Sequence, residues 1–184
     1  MDCEAEPSST FAGGPDAFQR LWTPHRMAYI DSHHQEGEPA CPFCAGPQRG
    51  DDESALIIAR GEHCFAVMNL YPYNPGHLLI CPYRHIPLYV DLTAAERVEF
   101  GEMTATAVRV LQKASSPDGF NMGMNQGAVA GAGIAAHLHQ HVVPRWSGDA
   151  NFFPIIAQTK AVPQLLADTR DLLARTWREC EGAC

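Results

Sequence analysis

The chain has 184 residues and a mass of 20.1 kDa, enough to bury a core without disulfides. Its formal charge of −8 argues against binding duplex nucleic acid, whose affinity comes from Lys and Arg neutralising phosphates, so any phosphate it holds belongs to a small ligand. With 46% hydrophobic and 18% charged residues, and no apolar run near the ~20 residues of a membrane helix, the composition fits a soluble protein and excludes a membrane partner.

Residues 1–15 are acidic and small, without the basic flank and apolar stretch of a secretory signal, and read as a disordered tail on a cytoplasmic protein. Residues 16–30 place Phe18, Leu21 and Trp22 at helical spacing until Pro24 interrupts, predicting a broken helix. The segment 31–54 is rich in Gly, Pro, Asp and Glu and reads as a loop; a loop this long needs something to hold it. Three β-rich runs follow at 55–59, 64–69 and 77–82, predicting an antiparallel meander. Within them Cys64 and Cys81 have apolar flanks and read as buried thiols without chemistry. Thr93 and Glu96 form a capping box, and Val98, Met103, Ala107, Val110 and Leu111 supply the apolar stripe of a main helix ending near Lys113. Strand signals resume at 119–125, then a glycine-rich loop, then a strand over 137–143 that Pro144 closes. A last helix over 163–178 carries Leu165, Leu166, Leu172, Leu173 and Trp177 on one face. The order predicts an α+β fold: an antiparallel sheet of about five strands, one main helix and terminal helices, in a single domain spanning 16–178 with a tail at 179–184.

The seven cysteines are odd in number and include the close pair Cys41-Pro42-Phe43-Cys44, which points to a metal rather than a disulfide framework. A redox pair is the rival reading, but the βαβ context it needs is missing. Two further ligands are required.

His137, His139 and His141 stand at i, i+2 and i+4 in HLHQHVV, so a strand brings the three imidazoles to one face. Core or surface histidines are the bland alternative, yet buried rings would need partners and exposed ones have no reason to alternate so strictly. A neutral imidazole attacks phosphorus and leaves again once protonated, and the middle ring, His139, has a neighbour on either side. Glycines from Gly127 through Gly131 to Gly133 can bring backbone N–H groups close to phosphate oxygens.

These residues resemble the histidine triad (HIT) family. HLHQHVV is similar to its signature, and the stretch from Asn69 through Gly76 and His77 to Pro82 resembles its strand-turn-strand, in which an Asp or Asn eight residues before the His contacts ribose. The flanks at 21–27 and 144–152 resemble the family's bacterial diadenosine tetraphosphate phosphorylases. The resemblance implies a HIT-like sheet, a nucleotide substrate and a homodimer or higher homo-oligomer. Carried onto this chain, His139 is the nucleophile at the α-phosphate, His141 hydrogen-bonds that phosphate, and His137 orients the nucleophile through its carbonyl. Asn69 holds the ribose and Asn125 contacts the α-phosphate, beside Gly131 and Gly133 of the loop. Gly133 departs from the Ser or Gln that relatives often carry there, which leaves the leaving-group chemistry open. The family's zinc-binding members use a Cys pair, a His just past the strand that opens with Gly-His (here 77–82) and the first triad His. That implies a structural Zn2+ on Cys41, Cys44, His85 and His137, a closed set without a site for water. His25, His33, His34 and His63 match nothing and read as surface or structural residues.

The leading expectation is an enzyme that transfers a nucleoside monophosphate from a dinucleoside polyphosphate to His139 and then to phosphate or water. A nucleoside phosphoramidase or nucleotidyltransferase shares the intermediate. A nucleotide-sensing module would keep the pocket without the covalent adduct.

Overall fold

The computed structural model describes residues 41–149 and 165–182. The expectations for the tail at 1–15, the broken helix at 16–30, the first part of the 31–54 loop and the flanking motifs at 21–27 and 150–152 lie outside them. The described residues form helix α1 (Pro42–Gln48), strands β1 (Ile57–Arg60), β2 (Cys64–Met68) and β3 (Leu78–Pro82), the main helix α2 (Ala94–Ser115), strands β4 (Gly119–Gly123) and β5 (Gln140–Arg145), and helix α3 (Leu166–Glu181). The five strands make one antiparallel sheet in the order β1-β2-β3-β5-β4, the meander extended by β5.

Strand alternation divides the sheet into two faces. Cys64, Ala66 and Met68 of β2, Leu78 and Ile80 of β3 and Val142 of β5 join Phe100, Met103, Ala107, Val110 and Leu111 of α2 and Leu173 and Trp177 of α3 in the main core. Phe65, Val67, Leu79 and Cys81 point the other way, where Phe43 of α1 packs on them. Cys64 and Cys81 are fully buried thiols, as their apolar flanks predict, and burial pushes Cys64 up to about 12 and Cys81 well above the usual thiol range.

Several elements differ from the sequence reading. Residues 42–48 are a short helix rather than loop: Cys41 is its N-cap, Pro42 fills the first position, where the missing N–H costs nothing, and the Cys41 carbonyl accepts from the N–H groups of Cys44 and Ala45 at 3.0 and 2.9 Å. β5 begins at Gln140, three residues later than expected, and runs through Pro144 to Arg145. Proline is tolerated there because Arg145, whose carbonyl accepts from Asp118 N, turns its backbone toward β4. Pro144 therefore faces the side where the ladder to β3 has already ended at Val142. Val98 and Leu165, expected on apolar stripes, are exposed; Phe100 takes the phase that Val98 misses, and Leu165 only precedes α3. Residues 179–181, expected in the tail, continue α3.

Two carboxylates on the first turns of α2 anchor the loops at one end of the sheet. Glu99 accepts from the N–H groups of Glu62, His63 and Cys64 at 2.7, 2.5 and 2.9 Å, so close to the chain that a Cβ on Gly61 would collide with its carboxylate. Glu96 closes the capping box with Thr93 and takes both prongs of Arg84 at 2.6 Å, while Arg84 also donates to the Asp91 carbonyl. Gly76, at φ +80°, packs so tightly that a Cβ there would lie 3.1 Å from Leu111.

Arg84, aided by the Thr93 bonds, holds the buried Glu96 carboxyl down at about 2, below its usual 4.5. A lowered folded-state value gives stability that is fully present above about pH 4.5 and is lost as the pH falls toward 2. Glu96→Gln is expected to lose roughly 1–2 kcal/mol at pH 7, half-exposed Arg84 limiting the effect, and to show a shallower loss between pH 4.5 and 2 than the wild type in urea unfolding.

Candidate active site and metal centre

His139 and His141 lie on the sheet face opposite α2, with ring centroids 5.1 Å apart. Gln140 between them points to the helix, where its amide donates to Thr104 at 3.1 Å. His139 is buried, and its Nδ1 stands 2.8 Å from the His137 carbonyl, which can only accept. Nδ1 therefore carries the hydrogen and Nε2 keeps its lone pair. Burial pushes the His139 imidazole below its usual range, the bond to His137 partly opposing this, so the ring is neutral near pH 7. The Phe43 ring packs against both His139 and His137, at 5.1 and 5.5 Å.

His137 turns its ring to a different task. Its Nε2 lies 2.9 Å from the Pro82 carbonyl, which places the hydrogen there and leaves Nδ1 as a lone pair. Nδ1 faces Cys41 Sγ at 3.4 Å, Cys44 Sγ at 3.5 Å and His85 Nδ1 at 3.3 Å, and Cys44 Sγ stands 3.3 Å from His85 Nδ1. Zinc–sulfur and zinc–nitrogen bonds of about 2.3 and 2.0–2.1 Å make tetrahedral edges of about 3.5 Å between S and N and about 3.4 Å between two N. The four edges given match those lengths, and all four ligand atoms lie within 4.8 Å of one another, which fits a tetrahedral thiolate-imidazole site. Burial, foremost, and the Cys41 thiol beside it raise the Cys44 thiol, so a cation is what would favour the thiolate pair. Burial also lowers His137, in the direction a ligand needs.

The residues expected to touch substrate are placed as follows. Asn69 sits at the end of β2; its Oδ1 accepts from Tyr71 N at 3.0 Å and its Nδ2 lies 3.3 Å from His77 Nδ1. Asn125 Nδ2 donates to the Gly131 carbonyl at 3.3 Å and so braces the glycine loop, which contains a single 3-10 turn (Ala128–Ala130) between Gly127 and Gly131, both at positive φ. Gly133 lies exposed beyond that turn. Three participants carry no assigned role in the sequence reading: Phe43, Tyr73 and His77. His77 is fully buried, its Nε2 lies 2.9 Å from His141 Nδ1, and Tyr73 stacks on both rings at 4.9 and 5.9 Å. The signal for His77 is its parity with Leu79 and Cys81, which puts it on the histidine face of β3.

The HIT domain model matches residues 51–148, and the chain belongs to the HIT family. It is 50% identical over 171 residues to the AP-4-A phosphorylase of Mycobacterium tuberculosis, covering 90% of this chain and 87% of that one. It is 34% identical over 93 residues to the asymmetrical bis(5'-nucleosyl)-tetraphosphatase of Schizosaccharomyces pombe, half of each chain. Among solved structures, a Zn-bound histidine triad family protein from Mycobacterium smegmatis superposes with a TM-score of 0.62 at 21% identity, over 79% of this chain and 98% of that one.

Purified protein is expected to contain one tetrahedrally bound metal per chain, and Cys41→Ser with Cys44→Ser to lose it. Elemental analysis measures the content, and the visible spectrum of cobalt-substituted protein reports the thiolate geometry.

Proposed function

We propose that this protein is an enzyme that cleaves dinucleoside polyphosphates at the α-phosphorus through a nucleotidyl intermediate on His139. The observation that carries the reading is the bond from His139 Nδ1 to the His137 carbonyl, which commits one ring nitrogen and leaves Nε2 as a neutral nucleophile. The likeness to a relative named AP-4-A phosphorylase over most of both chains supports the substrate class and favours phosphate as acceptor.

In the first step the Nε2 lone pair forms a bond to the α-phosphorus and the bond to the bridging oxygen of the remaining polyphosphate breaks, releasing a nucleotide. In the second, a phosphate oxygen attacks the same phosphorus and the bond to Nε2 breaks, freeing the ring and a nucleoside diphosphate. His141 donates to the transferring phosphoryl group. Asn69 holds the ribose with the second hydrogen on its amide and the second lone pair on its oxygen, beyond those used by His77 and Tyr71. Asn125 and the glycine loop through Gly131 and Gly133 meet the phosphate chain. Cys41, Cys44, His85 and His137 are the residues that would hold Zn2+, which would supply a fixed anchor for the His137 backbone and no site for a reacting water.

With diadenosine tetraphosphate and inorganic phosphate, the expected products are equal amounts of ADP and ATP; AMP and ATP would make water the acceptor. His139→Asn is expected to lose at least about a thousand-fold in turnover while still binding nucleotide, and His141→Ala to lose less. Wild-type rates in His139→Asn would overturn the covalent mechanism.

A further inference from the structure

We propose that Asp149 is a positioning residue for the nucleotide: through Asn74 it fixes the turn that carries Asn69 and Tyr73 beside the histidine cluster. The ribose contact at Asn69 rests on the function proposed above; the latch itself does not. Residues 69–77 fold on themselves, with Asn69 N donating to the His77 carbonyl at 2.9 Å and His77 N to the Asn74 carbonyl at 3.1 Å. Whatever holds one part of this turn therefore sets the place of Asn69. The strand ladder stops short of it, because β3 and β5 last pair at Leu78 and Val142, and Pro144, two residues on, has no N–H to give. The Asn74 side chain takes over where the ladder ends: its amide donates to the Pro144 carbonyl at 2.9 Å and to Asp149 Oδ2 at 2.7 Å. Two acceptors on one side leave the Nδ2 group this orientation alone.

Asp149 is fixed from its other side. Its two oxygens take the Arg145 fork at 2.5 and 2.8 Å, and Oδ2 also accepts from Trp146 N at 3.2 Å. Arg145, foremost, holds the carboxyl well below the usual carboxylate range, so it is ionised at pH 7. The surrounding bend is tied to the rest of the sheet: Arg145 Nη1 donates to Asn121 Oδ1 of β4 at 2.7 Å, and Ser147 N to Asp118 at 2.7 Å. Trp146 Nε1 adds a bond to the Ser115 carbonyl, at the end of α2, at 3.2 Å. A charged acceptor in so braced a frame makes the bond to Asn74 the stronger of that amide's two. The turn it steadies carries Asn69 at one end and, near the other, Tyr73, whose ring stacks on His77 and His141 at 4.9 and 5.9 Å. His139 and His141 are placed by β5 and the His137 carbonyl, and neither support passes through Asn74. Loosening the latch therefore weakens binding of ground state and transition state alike, which shows in KM rather than kcat.

The test compares Asn74→Ala, Asp149→Ala and the double variant of the full chain, by titration with AMP and by turnover of diadenosine tetraphosphate. Each single variant should weaken AMP binding about 10-fold and raise KM to match, with kcat within about threefold and metal content unchanged. Because both substitutions cut the same link, the double variant should lose no more than about twofold beyond the weaker-binding single variant. Losses that multiply would make the two residues independent and overturn the proposal. Asp149→Asn, which keeps an oxygen for the Asn74 amide, should bind AMP within about threefold of wild type. Wild-type AMP affinity in Asn74→Ala, or a fall in its kcat with KM unchanged, would also overturn it, and this variant decides the matter even where Asp149→Ala does not fold. Weakened AMP binding in a chain that turns over no dinucleoside polyphosphate would sustain the positioning role and reject the assigned reaction.

Discussion

His137 has three polar groups and each has one place to go. The ring Nε2–H is held by the Pro82 carbonyl, Nδ1 faces two thiols and a second imidazole, and the main-chain carbonyl takes the hydrogen of His139. In a site with almost no exposure, changing any one of these leaves a polar group without compensation, at a cost of roughly 1–3 kcal/mol. The end of β3, the N-terminus of α1 and the approach to β5 are therefore tied to a single residue, and the His139 ring inherits its position from that knot. Leu138 adds a backbone bond to Ile86 at 2.6 Å, so the chain on both sides of His85 and His137 is held in register.

The sheet makes this possible by separating two duties between its faces. On β3 and β5 every second side chain faces α2, and the other face carries His141 on β5 and, on β3, Leu79 and Cys81 of a second apolar cluster. A slip of one residue would exchange the two sets and drive imidazoles into the apolar core. The polar anchors at Glu96 and Glu99 act at the same end of the sheet: one grips Arg84, next to His85 of the Cys–His cluster, and the other gathers three N–H groups of the β1–β2 turn.

Much of this arrangement is legible in the amino-acid sequence, and the reasons differ by element. HLHQHVV carries its meaning in spacing alone, and so does the Thr93–Glu96 capping box, because both depend on local geometry that a few residues determine. The meander can be read from β-rich runs and the turn between them. The short helix after Cys41 cannot: two prolines in seven residues mimic a loop, and its contacts are those of Cys41 and Phe43 with histidines almost a hundred positions away. Pro144 reads as a stop signal, correct for a strand paired on both sides but not for one whose neighbour has already ended. His77 belongs to the same class, since its importance is a pairing between β3 and β5 that exists only after the sheet forms.

Gly76 links the two faces in a way that bears on how such a protein can change over time. A Cβ on the residue beside His77 would stand 3.1 Å from Leu111 of the main helix, tighter than ordinary contact, and its backbone lies in a region that L-residues rarely adopt. The rear wall of the histidine cluster is thus the hydrophobic core itself. Core and histidine cluster share one mutational neighbourhood: Leu111 of the core lies against the turn that carries His77. Selection for thermal robustness in α2 and selection for rate therefore act on the same few atoms. Drift is freest on the outer surface of that helix, where Val98 is exposed and a Cβ on Gly101 would meet nothing.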